Sequence, residues 1–448
     1  MNAIVSPRRR GACPGLTAPM QTGDGLLVRL LSSTTIGLDA AAALCAAARR
    51  HGNGIIEITA RGSIQIRGLT AASAPAFADT VAALRIDAGD GVPILTDPLA
   101  GLEPHQTIDA HGLAAALRQR LAASSFAAML GPKVSVVIDA GTDLHLDAVR
   151  ADIRLRACSA GWHVGLGGDA ASATPIGVVA PADAAESVAR LLETMAQHGP
   201  QARAHDLIRR HGPDVFRAVV AERLIDTAGP APRPRSEPIG THPLRDERLG
   251  LGIGLAFGHA DADAFESLIE AARRAGVLGL RTAPGRALLI IGVTSETAPA
   301  LAARAENLGF ITQRDDPRRN VVACAGAPIC ASAEIPARAL APQISSAAAG
   351  LLDGSLTVHL SGCPKGCAHP GTAALTIVGK PNGCGLVADG CARDQPAATT
   401  AAAAVTSALE RIAREVARVG RPGETSADTL RRLGGAHLAE IFGAIRHG

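Results

Sequence analysis

Two stretches of this chain repeat one order of elements, and that repetition limits the available folds more than any other feature. In the first, GLLVRLL reads as a strand, LDAAAALCAAARRHG as a helix ended by basic residues and a glycine, GIIEIT and SIQIRG as strands, and ASAPAFADTVAALR as a second helix. In the second, LGLGIGLAF, ADAFESLIEAARRAG, VLGLRT, RALLIIGV and SETAPALAARAENLG follow in the same order. Arg49 and Arg50 correspond to Arg273 and Arg274, and Gly68 to Gly292, at one constant offset. Each copy reads β-α-β-β-α, and its sheet leaves an edge that a partner has to close. The competing explanation is chance similarity between two Ala-rich α+β units. The duplication predicts an internally repeated, pseudo-twofold α+β chain.

A longer α/β segment follows each copy. GPKVSVVIDAG (131–141) reads as a strand in the first, and GSLTVHLSG (354–362) as a strand in the second, whose end delivers cysteines into a loop. Only the second segment carries thiols at ligand spacing, so the two are not equivalent in chemistry. The Pro- and Gly-dense DTAGPAPRPRSEPIGTHPL (226–244) reads as a linker. The expected boundaries are 18–90, 91–225, the linker 226–244, 245–312 and 313–448. A length of 448 residues accommodates about three ordinary domains.

Composition excludes several function classes. Aromatic residues are 2% of the chain, with no Tyr and a single Trp, Trp162, so base-stacking platforms are not expected. A net charge of +3 gives no global field for nucleic acid or membrane. The Arg run of SPRRRGACPGL is followed by Gly and Pro where a signal helix would need apolar residues, and no 18-residue apolar span occurs. A soluble, cytoplasmic protein is expected, and there nine cysteines fit ligation better than a disulfide framework.

Four of those cysteines form the sharpest motif. VVACAGAPICASA and HLSGCPKGCAHP give C-x5-C, 32 residues, then C-x3-C, from Cys324, Cys330, Cys363 and Cys367. A [4Fe-4S] cube needs four converging thiolates, and two Gly-rich loops can supply them while small residues let backbone amides approach the sulfides. Zinc would favour C-x2-C pairs and a redox disulfide would want C-x-x-C at a helix start; neither spacing occurs here, and both remain alternatives. Cys45 and Cys158 read as small buried residues, and Cys384 and Cys391 in NGCGLVADGC as hairpin positions.

The cysteine pattern on the second half of a duplicated chain resembles the siroheme and [4Fe-4S] nitrite and sulfite reductase family, over nearly the whole length. ITARGSIQIRG fits that family's T-x-R-x3-Q pattern at Thr59, Arg61 and Gln65, with Arg67 following, and alternation puts Arg61, Gln65 and Arg67 on one strand face. LGPKVSVVID fits its L-P-x-K-x-K strand, with Lys133 in the first lysine position and Ser135 in the second. The resemblance implies two ferredoxin-like half-domains plus two α/β domains, a [4Fe-4S] cluster on the four cysteines, and Cys367 as the thiol that bridges to siroheme in a reductase. Loss of the second lysine and of the reductases' aromatic residues weakens the anion-reduction reading.

Three further pieces resemble a narrower family, the precorrin-3B synthases: RRRGACPGLTAPMQTGDGLLVRL, LHLDAVRADIRLRA (144–157), and GCPKGCAHP followed by GCGLVADG. This implies an O2-dependent monooxygenase of aerobic cobalamin biosynthesis that hydroxylates precorrin-3A at C20 and closes a γ-lactone. The tetrapyrrole is then substrate instead of cofactor, held by Arg61, Gln65, Arg67 and Lys133, with Arg29 a further candidate. An external NAD(P)H-linked electron donor is implied because no nucleotide fingerprint is present, and so is a mononuclear non-haem iron whose ligands the sequence does not identify. His105, His359 and His369 are unassigned. The alternatives are a siroheme-dependent reductase, and a non-catalytic iron-sulfur or tetrapyrrole-binding protein.

Overall fold

The computed structural model describes residues 14–443 except Asp87, Gly89, Asp90, His105 and Thr107. His105 and the N-terminal Arg run therefore lie outside the described residues. The chain divides into two compact units: the residues up to Gln21 with Leu26–Ile253 and Asp261–Leu308, and Thr22–Gly25 with Gly254–Ala260 and Gly309–Gly448.

Both repeats lie in the first unit. In the first repeat Ile64–Leu69 runs antiparallel between Gly25–Leu30 and Ile55–Ile58. Helix Leu38–His51 packs on this sheet through Leu44, Cys45 and Ala48. It carries Asp39 in its first turn and Arg49, Arg50 and His51 in its last, the charge order that the helix dipole favours. The second repeat has strand order Gly240–Pro243, Leu249–Gly254, Ala287–Val293, Gly279–Ala283, with helix Ala262–Arg274 against it.

The repeats join as a pseudo-dimer. Helices Leu38–His51 and Ala262–Arg274 pack together, and Ile36 and Leu280 exchange two backbone hydrogen bonds of 2.8 Å. Gly54 O accepts from Ala262 N at 2.8 Å. The hairpin tips also meet: Gly285 N donates to Ala60 O, and a Cβ on Gly62 would stand 2.9 Å from the Ala283 carbonyl carbon, so that tip has room only for glycine.

The first α/β domain has a six-stranded sheet ordered Leu224–Ile225, Thr174–Val179, Gly161–Gly168, Ala151–Cys158, Val136–Asp139, Ile94–Thr96. Trp162 and Phe216 fill its core, 1% and 0% exposed. In the second unit the order is Val321–Ala323, Val358–Ser361, Ala373–Lys380, Gly383–Gly390, Ala398–Thr400, covered by helices that include Val405–Val419. Both sheets run parallel, parallel, antiparallel, antiparallel across these five strands.

Three sequence expectations change. The strand expected from 131 begins at Val136, because Pro132 and Lys133 form an exposed turn, and the strand expected from 354 begins at Val358. The segment 226–244, expected as a linker, is fastened to the first α/β domain near its middle. Its end, Gly240–Pro243, is an edge strand, and Arg233 is clamped between Asp139 (2.6 Å) and Asp147 (2.7 Å). Pro234 O bonds the His145 ring at 2.7 Å, and Ser236 Oγ donates to His145 O.

Candidate functional site

The second unit builds a seat for the four thiols from two adjacent strand ends. Val321–Ala323 and Val358–Ser361 pair in parallel and stop side by side, so the residues after them enter neighbouring loops. Cys324 follows the first strand, and its amide still bonds Leu360 O at 3.1 Å. The Gly362 amide donates to Cys324 Sγ at 3.1 Å. The loop then folds back: Cys330 N bonds Gly326 O (2.9 Å) and Glu334 N bonds Gly362 O (2.7 Å). Gly326 has φ 68°, and a Cβ there would lie 2.4 Å from Ala337 N; one on Gly362 would lie 2.7 Å from Ala333 Cβ. A side chain at either position would force the cysteine loop out of place.

None of the four cysteines is in a disulfide. Burial pushes the Cys324 thiol up, the Gly362 and Gly326 amides pull it down, and the nearby Cys367 and Cys363 raise it further. Four thiols on neighbouring loops, with the Gly362 amide already directed at Cys324 Sγ, fit a [4Fe-4S] cluster, whose iron core would bind them as thiolates. Cys45, 2% exposed with its thiol pushed up to about 12 by burial, stays protonated. Cys384 is 0% exposed and burial pushes its thiol up to about 11, while the Cys391 amide donates to Asp394 Oδ2 at 2.7 Å in the hairpin. His359 is buried on the strand before Cys363, with its ring 5.6 Å from that of His369; the latter bonds Thr372 O.

The expected cations all lie in the first unit. Gln65 and Arg67, both 8% exposed, share a strand face with Arg29 and Glu57. With its amide turned to suit its neighbours, Gln65 donates to Glu57 (3.1 Å) and accepts from Arg29 (2.8 Å). Arg67 lies 3.6 Å from Glu57, so its charge is partly answered within the sheet. Arg61 is in the turn before the strand, not on its face, and donates to Ser135 Oγ at 3.1 Å. The residue in place of the second lysine thus accepts a hydrogen bond from the first arginine. Lys133 is exposed.

Sequence reasoning missed Arg286. It occupies the second hairpin tip, beside the tip that carries Arg61, at φ 63°. Burial alone pushes its guanidinium pKa down; among the described residues no hydrogen bond or ion pair answers it. The duplication was the usable signal, since it maps the Arg61-Gly62 turn onto Gly285-Arg286.

The first α/β domain has its own counterpart of the thiol seat. Matching strand ends put Asp97 where Cys324 stands and, at equal distances along the loops, Glu103 for Cys330, Gly141 for Cys363 and His145 for Cys367. Ligand atoms of Asp139, His145 and Asp147 lie within 4.8 Å of one another there. They do not fit a resident iron: both carboxylates already share the Arg233 guanidinium, and the His145 ring is bonded to Pro234.

Comparison with known proteins narrows the reading. Residues 19–84 match the nitrite/sulfite reductase ferredoxin-like half domain. A precorrin-3B synthase from a Sinorhizobium species is 41% identical over 98% of this chain and 95% of its own length. The chain belongs to the precorrin-3B synthase family. More distant family relations are reductases: a ferredoxin--nitrite reductase of Synechococcus elongatus is 27% identical over 72% of this chain and 70% of its own. The solved structure of the Mycobacterium tuberculosis NirA protein superposes with a TM-score of 0.73 over 92% of this chain and 84% of its own, at 19% identity. That likeness carries the fold, an α+β duplicated architecture. Among the described residues no helix is long and apolar enough to cross a membrane.

Proposed function

We propose that this chain is a precorrin-3B synthase, an oxidoreductase that hydroxylates precorrin-3A at C20 with O2 and closes a γ-lactone. The observation that carries the reading is the 41% identity along nearly the full length. One oxygen atom enters the macrocycle and the other leaves as water, with two electrons and two protons drawn from an NAD(P)H-linked donor. Cys324, Cys330, Cys363 and Cys367 would hold a [4Fe-4S] cluster, which supplies single-electron transfer when bound.

The chain's own residues bind and orient. A tetrapyrrole bearing several carboxylates needs forked donors, and Arg61, Lys133 and Arg286 offer three positive charges within the first unit. Glu57 contacts both Gln65 and Arg67, with Arg29 beside them on the same strand face. The mononuclear iron of the family expectation has no fitting ligand set among the described residues, and no step is assigned to it.

Turnover of precorrin-3A by the purified protein under 18O2, with an electron donor, tests the proposal. Product heavier by one labelled oxygen supports it. A bound siroheme absorption band with sulfite or nitrite reduction, or an intact cluster without turnover, would overturn it.

A further inference from the structure

We propose that the N-terminal turn Thr22–Gly25 is the cover of the cluster's Cys330 corner, and that Gly23 positions Cys330 as a ligand. The inference rests on the cluster reading above. The turn is the TGDG of the N-terminal motif. Although it lies some 300 residues from the cysteines in sequence, Thr22–Gly25 belongs to the compact unit that holds them.

The turn is built internally. Thr22 Oγ1 is 2.7 Å from Asp24 Oδ1 and 2.6 Å from Gly25 O, and Asp24 is only 9% exposed. It is then fastened to the cysteine loop, because Ala331 N donates to Gly23 O at 2.9 Å. A Cβ placed on Gly23 would stand 2.4 Å from Cys330 Sγ, with Ser332 Oγ next at 3.2 Å. Ser332 Oγ in turn accepts from Lys365 Nζ at 2.6 Å, which ties this corner to the Cys363–Cys367 loop.

Gly23 is not among the residues with positive φ, so alanine there costs no backbone strain; the main obstacle is the Cys330 sulfur, and the Ser332 hydroxyl at 3.2 Å need give only a few tenths of an ångström. A free cysteine side chain can rotate away from a new methyl group. A thiolate bonded to iron cannot, since its position is fixed by the cube. Alanine at 23 is therefore tolerated by the empty protein and opposed by the loaded one. Gly25, at φ 105°, is the contrast: alanine there strains both.

The test compares Gly23→Ala, Gly25→Ala and wild type, each with and without reconstituted iron and sulfide. Expected for Gly23→Ala is an unchanged denaturation midpoint of the cluster-free protein. Its loaded form should bleach in air roughly tenfold faster, the scale on which outer-shell changes act on metal sites, with a shifted reduction potential. Gly25→Ala should lower the midpoint in both states. A Gly23→Ala protein with wild-type cluster content, potential and lifetime overturns the proposal alone, as does an equal loss of stability with and without cluster. A wild type that takes up no iron and sulfide overturns the cluster reading itself, and this inference with it.

Discussion

Arg49 of the first half-domain donates to Asp263 of the second at 2.8 Å, and at the same offset along the duplicated sequence Arg273 donates to Asp39 at 2.6 Å. The two pairs are one interaction written twice about a pseudo-twofold axis. Arg49 also reaches Glu266 at 2.8 Å. These contacts are partly exposed, so Arg49→Ala should cost at most about 1 kcal/mol, an effect that fades at high salt. Urea denaturation at two ionic strengths checks it; a large, salt-independent loss would mean the interface depends on this arginine for packing.

Serine in place of Cys324, Cys330, Cys363 or Cys367 should take iron from about four per chain to near zero and remove activity. Cys45→Ser should retain both cluster and activity, because the thiol sits in the half-domain core, 2% exposed. Iron and sulfide analysis of the five variants decides it. Loss of the cluster in Cys45→Ser would count against the ligand assignment.

Arg61→Ala and Arg286→Ala should each raise KM for the tetrapyrrole about 10- to 100-fold, the worth of one charge-assisted hydrogen bond, with cluster absorbance unchanged. Lysine at either position should restore part of the affinity. An unaltered KM in Arg286→Ala would remove that residue from the binding surface.

Arg233→Ala should destabilise the protein by roughly 3–5 kcal/mol, because it leaves Asp139, 0% exposed, and Asp147 without their shared cation. The freed 226–239 segment should also become a site of limited proteolysis. Retained protease resistance would show that Pro234 and Ser236 suffice to anchor it.

Acid-base behaviour near the same seat has a defined sign. Burial, with Asp139 second, pushes Asp97 up to about 7, and burial pushes Glu103 up to about 7. Both folded values exceed the unfolded ones, so the folded state holds the extra protons between pH 4 and 7. Stability contributed by these groups is full below pH 4 and lost as pH rises toward 7. Asp97→Asn should flatten that decline, measured as the denaturation midpoint against pH; an unchanged slope would assign it elsewhere.

The half-domains were legible because period-two and period-3.6 patterns recur at a constant offset, and Leu38–His51 and Ala262–Arg274 form as those patterns require. The two cysteine segments stood out as candidates because their spacing is unusual among loops, and the structure places them after neighbouring strand ends. Arg286 was not, since burial without a counter-charge is a property of packing that PGRA does not disclose. Nor was Arg233: Pro and Gly density around it reads as a flexible tether, whereas its two carboxylates come from strands and loops about ninety residues earlier. Alternation misled at Arg61 because the strand starts only at Ile64, so the arginine belongs to the turn.

The paired five-strand sheets, one ending in thiols and the other in Asp97, Glu103, Gly141 and His145, have a consequence for stoichiometry. A symmetric homodimer of a single half-length gene must keep both seats or lose both, since every substitution appears twice. A fused chain is released from that constraint. One seat can specialise in iron while its twin fills with an arginine from the join itself; under the proposed cluster each molecule would carry one redox centre, and the join becomes part of the interior.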